Sequence, residues 1–459
     1  MKRIAWVLLV VGVVVMALHI VDGLREERSS RRYEAARTIA DTNGGDLELY
    51  PPLLTVRVEE RYPSTEQRRR EVVRQGHVVN EDYTVPVERS ETRTWLLIPE
   101  TLHATSSHAV ETRFLGIMPG RVQNAQVQLQ GAFRPSAQLW EPHHTGGVTT
   151  LTSVSVSLGF GSVRTLEQIV SAQLDSAALR FETAGHGLND SDTVAAQVPA
   201  STLEAGREVP FDMSLALRGG ASFMIHPLAE RSDITLDAAW PHPDFTHRGR
   251  SNTLPTRRTI TDTSSHAEWL ITGLSSGLQS VTDIGSSSEA MQQPSWRAGV
   301  GVEFVDPVDV FARVERSLKY GLPLIALSLA LLWFLLKRAD VATHVMHFLL
   351  LAMSLVVFFL LLLSLTEKVD FAVAYGISAG AVSLLNVTYL SGLLKKWRSA
   401  VTAWAPTAAC FGALYGLLVS EDSALLLGSA FVFTLLASFM LLTRRVDWNQ
   451  ALRSRALQP

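Results

Sequence analysis

The last third of the chain, from Leu318 to Trp448, carries five apolar runs separated by short polar breaks, at residues 318–336, 345–365, 371–390, 401–419 and 424–442. Each comes close to the roughly 20 apolar residues that cross a bilayer as a helix. In hydrocarbon every backbone amide must be satisfied internally, so a spanning element is a helix or a closed barrel. The runs are continuously apolar and do not alternate, which predicts helices. A sixth run, from Ile4 to Val21, follows Met1-Lys2-Arg3. A basic start and a run of this length predict an uncleaved anchor.

The polar breaks set an orientation. Lys337-Arg338, Lys395-Lys396-Trp397-Arg398 and Arg444-Arg445 follow the first, third and fifth runs of the bundle. Thr366-Glu367-Lys368-Val369-Asp370 and Ser420-Glu421-Asp422 follow the second and fourth. Positive charge in short loops marks the cytoplasmic side. Lys337, Lys395 and Arg444 are therefore expected in the cytoplasm, with Glu367, Glu421 and Asp422 outside. Arg25, Arg28, Arg31, Arg32 and Arg37, just past the first run, argue the other way. The parity of the five later helices decides for an N-terminal helix that spans, with both termini cytoplasmic.

Between the first run and the bundle the chain is polar. Residues 22–45 are rich in Arg, Glu and Ala and predict a charged helix leaving the membrane, ended by Gly44 and Gly45. From Leu47 onward the period changes to two: Leu53 to Glu59, Tyr83 to Glu88, Val122 to Leu129 and Thr149 to Leu158 alternate, and Ile234 to Asp237 and Ala267 to Ile271 add later strands. Such alternation, punctuated by Pro and Gly, predicts half-buried antiparallel strands in a sandwich-like domain, as one sandwich or two packed halves. A helical period is expected near Arg164 to Ala178. Asp306 and Pro307 then read as cap and first turn of an amphipathic helix. Its apolar face, Phe311, Val314 and Leu318, is expected to pack on the domain underside, on the stalk or in the headgroup layer. Glu315, Arg316 and Lys319 are placed to pair with the stalk charges between Arg25 and Arg32, which makes this segment a candidate coupling element.

The domain plan is an anchor at 1–21, a stalk helix at 22–45, a β-rich domain at 46–305, an amphipathic helix at 306–319, a five-helix bundle at 320–448 and a tail at 449–459. The fold class is an α-helical membrane protein with six transmembrane helices and a large β-rich periplasmic domain inserted after the first. A net charge of −3 gives no argument for nucleic-acid binding. The partners expected are the lipid bilayer and other envelope or inner-membrane proteins. The one cysteine, Cys410, excludes an intramolecular disulfide. No P-loop, dinucleotide fingerprint, HExxH or nucleophile elbow occurs, and no catalytic, cofactor or metal site is expected. His143-His144 reads as a surface loop pair. His242 and His247 flank Pro243-Asp244-Phe245, but the prolines restrict the backbone there. A rigid turn packed by Trp240 and Phe245 is expected instead of a metal site. His344 and His347 are expected on one helix face, one turn from Asp340. The mid-membrane parts of the predicted spans contain no Asp, Glu, Lys or Arg, which weighs against a transporter.

Several stretches resemble the CreD family of inner-membrane proteins. They are Val302-Glu303-Phe304-Val305-Asp306-Pro307-Val308-Asp309-Val310-Phe311, the Val314 to Gly321 segment, Phe359 to Glu367 with Ala374-Tyr375, Glu421 to Gly428, Thr443 to Trp448, and Trp240-Pro241-His242-Pro243-Asp244-Phe245 with Leu254-Pro255. They follow the family's order over most of the chain. Asp244 stands where the family stretch has serine, and His344-Val345-Met346-His347-Phe348 departs from its usual opening. The resemblance implies an inner-membrane protein associated with envelope integrity, colicin tolerance and the CreBC regulon of Gram-negative bacteria, with no enzymatic activity or cofactor. A transporter and a periplasmic enzyme are the rival readings.

Overall fold

The computed structural model describes residues 2–74, 77–246, 253–284, 294–305, 310–338, 341, 344–420 and 424–444. The chain divides into two units, Arg32–Pro307 and the combination of Met1–Arg31 with Val308–Pro459. Helix α1, Lys2–Thr42, runs without a break through the predicted anchor and stalk. Gly44 and Gly45 follow it at φ of 104° and 96°, left-handed values that favour glycine.

The β-rich unit holds strands β1 (Leu47–Arg74), β2 (His77–Leu97), β3 (Thr101–Leu115), β4 (Met118–Phe133), β5 (Val148–Phe160), β6 (Leu166–Leu174), β7 (Ala177–Ala178), β8 (Glu182–His186) and β9 (Asp192–Val198). It continues with β10 (Val209–Gly219), β11 (Ser222–Ile225), β12 (Arg231–Ala238), β13 (Pro243–Asp244), β14 (Arg257–Ile260) and β15 (Ser265–Thr272). A single helical turn, α2 (Gly273–Ser276), precedes β16 (Val281–Asp283) and β17 (Val300–Phe304). Among the described residues these form two sheets. One runs β13-β17-β11-β1-β5-β9-β8, with β2 and β16 attached through β1; the other runs β14-β15-β12-β3-β4-β10-β6-β7. Alternation aims every second side chain inward. Leu54, Val56 and Val156 of one sheet share a single buried core with Leu102, Val127, Leu129 and Met213 of the other. The domain is therefore one two-sheet sandwich, not two halves. Pro51 and Pro52 sit where the β1–β5 register shifts between Tyr50 and Leu53, a place where missing amide donors are tolerated.

The helix expected near Arg164 to Ala178 is a strand. β6 pairs antiparallel with β10, and the register skips Val170 and Glu167. Two bulged residues break the period of two, so the apolar spacing imitates a helix.

The second unit contains the apolar part of α1 with α3 (Val310–Lys319), α4 (Gly321–Arg338), α5 (Val345–Leu365), α6 (Phe371–Leu394), α7 (Trp397–Val419) and α8 (Ala424–Thr443). Among the described residues α5, α6 and α7 are each long and apolar enough to cross a membrane, and α3 with α4, bent by 44° at their junction, make a fourth if counted as one span. Leu384, Leu385 and Phe433 point outward, as lipid-facing side chains do. The apolar face of α3 turns into this unit: Phe311 and Val314 are buried in one cluster with Leu355, Phe359 and Phe371. That differs from all three surroundings expected for it, because the bend lets α3 lie across the neighbouring helices. Asp306, Pro307, Asp340, Glu421 and Asp422 lie outside the described residues, as does His247.

Candidate functional site

Three elements of the helical unit meet in a collar of ion pairs. Asp22, Arg25 and Arg28 come from α1, where its apolar run ends; Glu315 and Lys319 come from α3; Glu367 comes from the turn between α5 and α6. Arg25 Nε donates to Asp22 Oδ1 at 2.9 Å, and its Nη1 donates to Glu315 Oε2 at 3.2 Å. Lys319 Nζ reaches the other Glu315 oxygen at 2.8 Å. Arg28 Nε lies 3.5 Å from Glu367 Oε1. Beside them Arg313 lies over the ring of Phe371, 5.6 Å from its centre. Phe371 opens α6, whose start is capped by Asp370 accepting from the Ala372 N–H at 3.0 Å. The fork of Arg25 joins two helices distant in sequence, and its guanidinium is mostly covered. Such a pair is screened less than an exposed one and fixes rotation and register as well as distance. Arg316 sits half-buried on the same helix. The collar contains carboxylates, guanidinium groups and an ammonium, so it is built to hold helices together.

Deeper in the bundle the polar side chains pair across helices. Asn386 of α6 exchanges hydrogen bonds with Ser354 of α5 at 2.7 and 2.9 Å. Tyr389 of α6 lies 2.6 Å from His347 Nδ1. His344 is not on the same face as His347: it precedes α5 and accepts from the Met346 N–H at 3.3 Å.

In the β-rich unit the Trp240–Phe245 segment is packed, but in place of the expected rigid turn it holds the short strand β13, paired with β17. Trp240 Nε1 donates to the Val305 carbonyl at 3.0 Å, and Arg121 lies over its ring at 4.4 Å. The exposed His242 offers its carbonyl to the Val305 N–H at 3.2 Å. Phe245 is buried edge-on to Trp269, with ring centres 5.9 Å apart.

A second polar centre lies at the root of the β1–β2 hairpin. Glu60 is fully buried and accepts from Arg93 Nη2 at 2.6 Å and from the His144 N–H at 2.7 Å. Burial pushes its carboxyl up. The His144 and His143 amides, with the Arg93 guanidinium, outweigh that and hold it below the ordinary carboxylate value. The His144 ring stacks on Tyr62 at 3.7 Å, so His143-His144 is part of a structural joint as well as a loop. The sequence holds one sign of this centre: Glu60 continues the inward series Val56, Val58, and Arg93 the series Leu97, Trp95, so both charges fall on the core face. Past this point, from Tyr62 to Arg74 and from His77 to Arg89, the two strands pair only with each other among the described residues.

An apolar helical unit with three or four helices able to cross a membrane, and a large two-sheet β unit, define a membrane protein with a large β-rich domain. The profile of the family described as "Inner membrane protein CreD" matches residues 1–449, and the chain belongs to that family. It is similar to Inner membrane protein CreD of Escherichia coli (strain K12), with 28% identity over 425 residues, covering 92% of this chain and 88% of that protein. Among solved structures, an M1 zinc metallopeptidase from Deinococcus radiodurans aligns at 11% identity over 78% of this chain and 89% of its own, with a TM-score of 0.22. A two-domain M1 zinc metallopeptidase bound to L-arginine aligns at 10% identity, over 79% and 95%, with a TM-score of 0.20. Scores at that level carry neither fold nor activity across.

Proposed function

We propose that this chain is a non-catalytic inner-membrane protein that maintains cell-envelope integrity or responds to envelope stress. Six helices cross the membrane, both termini are cytoplasmic, and the β-rich unit lies in the periplasm. The charge alternation of the loops supports the orientation. The observation that carries the functional reading is α1: one helix, Lys2–Thr42, is tied into the bundle at its apolar half and built into the β sandwich at its polar half. In the sandwich Ile39 is buried. In the bundle Arg25 and Arg28 are held by Glu315 and Glu367. Each unit holds its own stretch of this helix, which supports the reading of a protein that reports or bears envelope load.

The test is a charge reversal at the collar in the native host. Arg25→Glu is expected to weaken envelope integrity, read as detergent and dye permeability, to the level of a deletion strain. Arg25→Glu with Glu315→Arg is expected to restore it. A deletion strain with unchanged permeability would overturn the envelope role; a reversal that the second change fails to rescue would overturn the collar's part in it.

A further inference from the structure

The hairpin of β3 and β4 outruns its sheet. β12 pairs with β3 only as far as His108, and β10 pairs with β4 only as far as Gln123. Among the described residues, from Ala109 to Leu115 and from Met118 to Val122 the two strands pair only with each other, reaching roughly 20 Å beyond their neighbours at about 3.4 Å per residue. The turn is two residues long, with Gly116 at φ 62°. Its tip is apolar and bare: Phe114 is 67% exposed, Leu115 49% and Ile117 51%. Three large apolar side chains within four residues at the end of a ribbon are an unusual use of surface for a chain facing water.

The direction of the ribbon is fixed within the same unit. Gln123 Nε2 donates to the Gly220 carbonyl at 3.0 Å. Gly220 lies against Ala40 of α1, so close that an added Cβ would come within 2.7 Å of the alanine methyl. Three residues nearer the tip, Gly120 lies against Ile39 and Ala36, where an added Cβ would come within 2.8 Å of the isoleucine side chain. The ribbon thus runs along α1 from Ala40 toward Ala36, within the same unit. The tip lies four residues further, about 14 Å. Cations flank it. Arg113 is half-exposed beside Glu111 at 3.5 Å, and Arg121 donates to the Thr112 hydroxyl. An apolar tip with arginines one or two residues behind it matches the layering of a bilayer surface, acyl boundary first and anionic headgroups next.

We infer that the β3–β4 hairpin tip, Phe114 to Ile117, is a lipid-binding contact that seats in the interfacial layer of a bilayer. It is a second point of support for the sandwich, independent of which side of the membrane the sandwich occupies.

The test uses the full-length protein with Cys410→Ser and a single new cysteine, Ile117→Cys, labelled with an environment-sensitive fluorophore. The protein is reconstituted in vesicles of phosphatidylethanolamine and phosphatidylglycerol, with nitroxide quenchers near the acyl carbonyls or near the bilayer centre. The expected result is blue-shifted emission, quenched by the shallow label more than by the deep one. A label at Glu182→Cys, an exposed strand position in the same unit, should be neither shifted nor quenched. Phe114→Asp in the Ile117→Cys protein should abolish the shift while the Glu182→Cys label is unaffected. Water-like emission at position 117, or a blue shift that no lipid quencher reduces, would overturn the inference; the second result would mean that protein, such as another copy of this chain, covers the tip.

Discussion

His108 shows how much one buried side chain can add to the pH response. It is 2% exposed, its Nδ1 donates to Gln123 Oε1 at 2.7 Å, and its ring lies among Phe223 and Phe304. Burial pushes the imidazole down to about 4, with Gln123 and Asp237 opposing. Above the unfolded value of about 6.5 the ring is neutral in both states and contributes no slope. As pH falls below that, the unfolded chain takes up a proton that the folded one refuses, so stability is lost until about pH 4, by roughly 3 kcal/mol in all. His108→Gln should flatten this part of the curve, measured by unfolding in denaturant from about pH 7 to about pH 4.5. The Glu60–Arg93 pair makes a different prediction. Arg93→Met leaves a buried carboxylate without its cation and should cost about 3–5 kcal/mol, while Glu60→Gln with Arg93→Met should recover part of the loss. Equal losses in the single and double variants would mean that the pair is not coupled. Little of this was legible beforehand. An inward charge at Glu60 is visible in the alternation, but Arg93 and His144, 33 and 84 residues away, meet it only through sheet pairing.

Elements differ in how openly they declare themselves. β4 alternates cleanly from Ala125 to Leu129 because its ladder is regular, whereas β6 is disguised by the bulges at Val170 and Glu167. The α3 face was visible as a face, but its partner was not: only the 44° bend at the α4 junction turns Phe311 and Val314 into the helical unit. Phe311→Asp should therefore destabilise the helices themselves, seen as a lowered midpoint for loss of helical signal in detergent. An unchanged midpoint would mean that the Phe311 site tolerates charge. α1 makes the complementary case in the β unit. Gly220→Val should push the helix off the sheet and cost about 1–3 kcal/mol, because there is no room for a side chain beside Ala40. Denaturant unfolding followed by tryptophan fluorescence checks it, and a stability equal to that of the unsubstituted protein would show that the helix is free to move away.

At the scale of the molecule the sequence already separates two materials, one alternating and one continuously apolar, because each period belongs to a different solvent. What holds the helical unit's polar rim was hidden in composition: the charged stretch after Val21 reads as a solvated helix, yet Arg25 and Arg28 in it are tied to Glu315 and Glu367 of the same unit. The proposed topology requires residues 146 and 448 to lie on opposite sides of the membrane. The most direct measurement is a pair of fusions to the full-length topology, alkaline phosphatase inserted after Gly146 and green fluorescent protein after Trp448. The account predicts an active phosphatase and a fluorescent C-terminal fusion, hence opposite sides. An inactive phosphatase with a fluorescent terminal fusion would put both positions in the cytoplasm and contradict it.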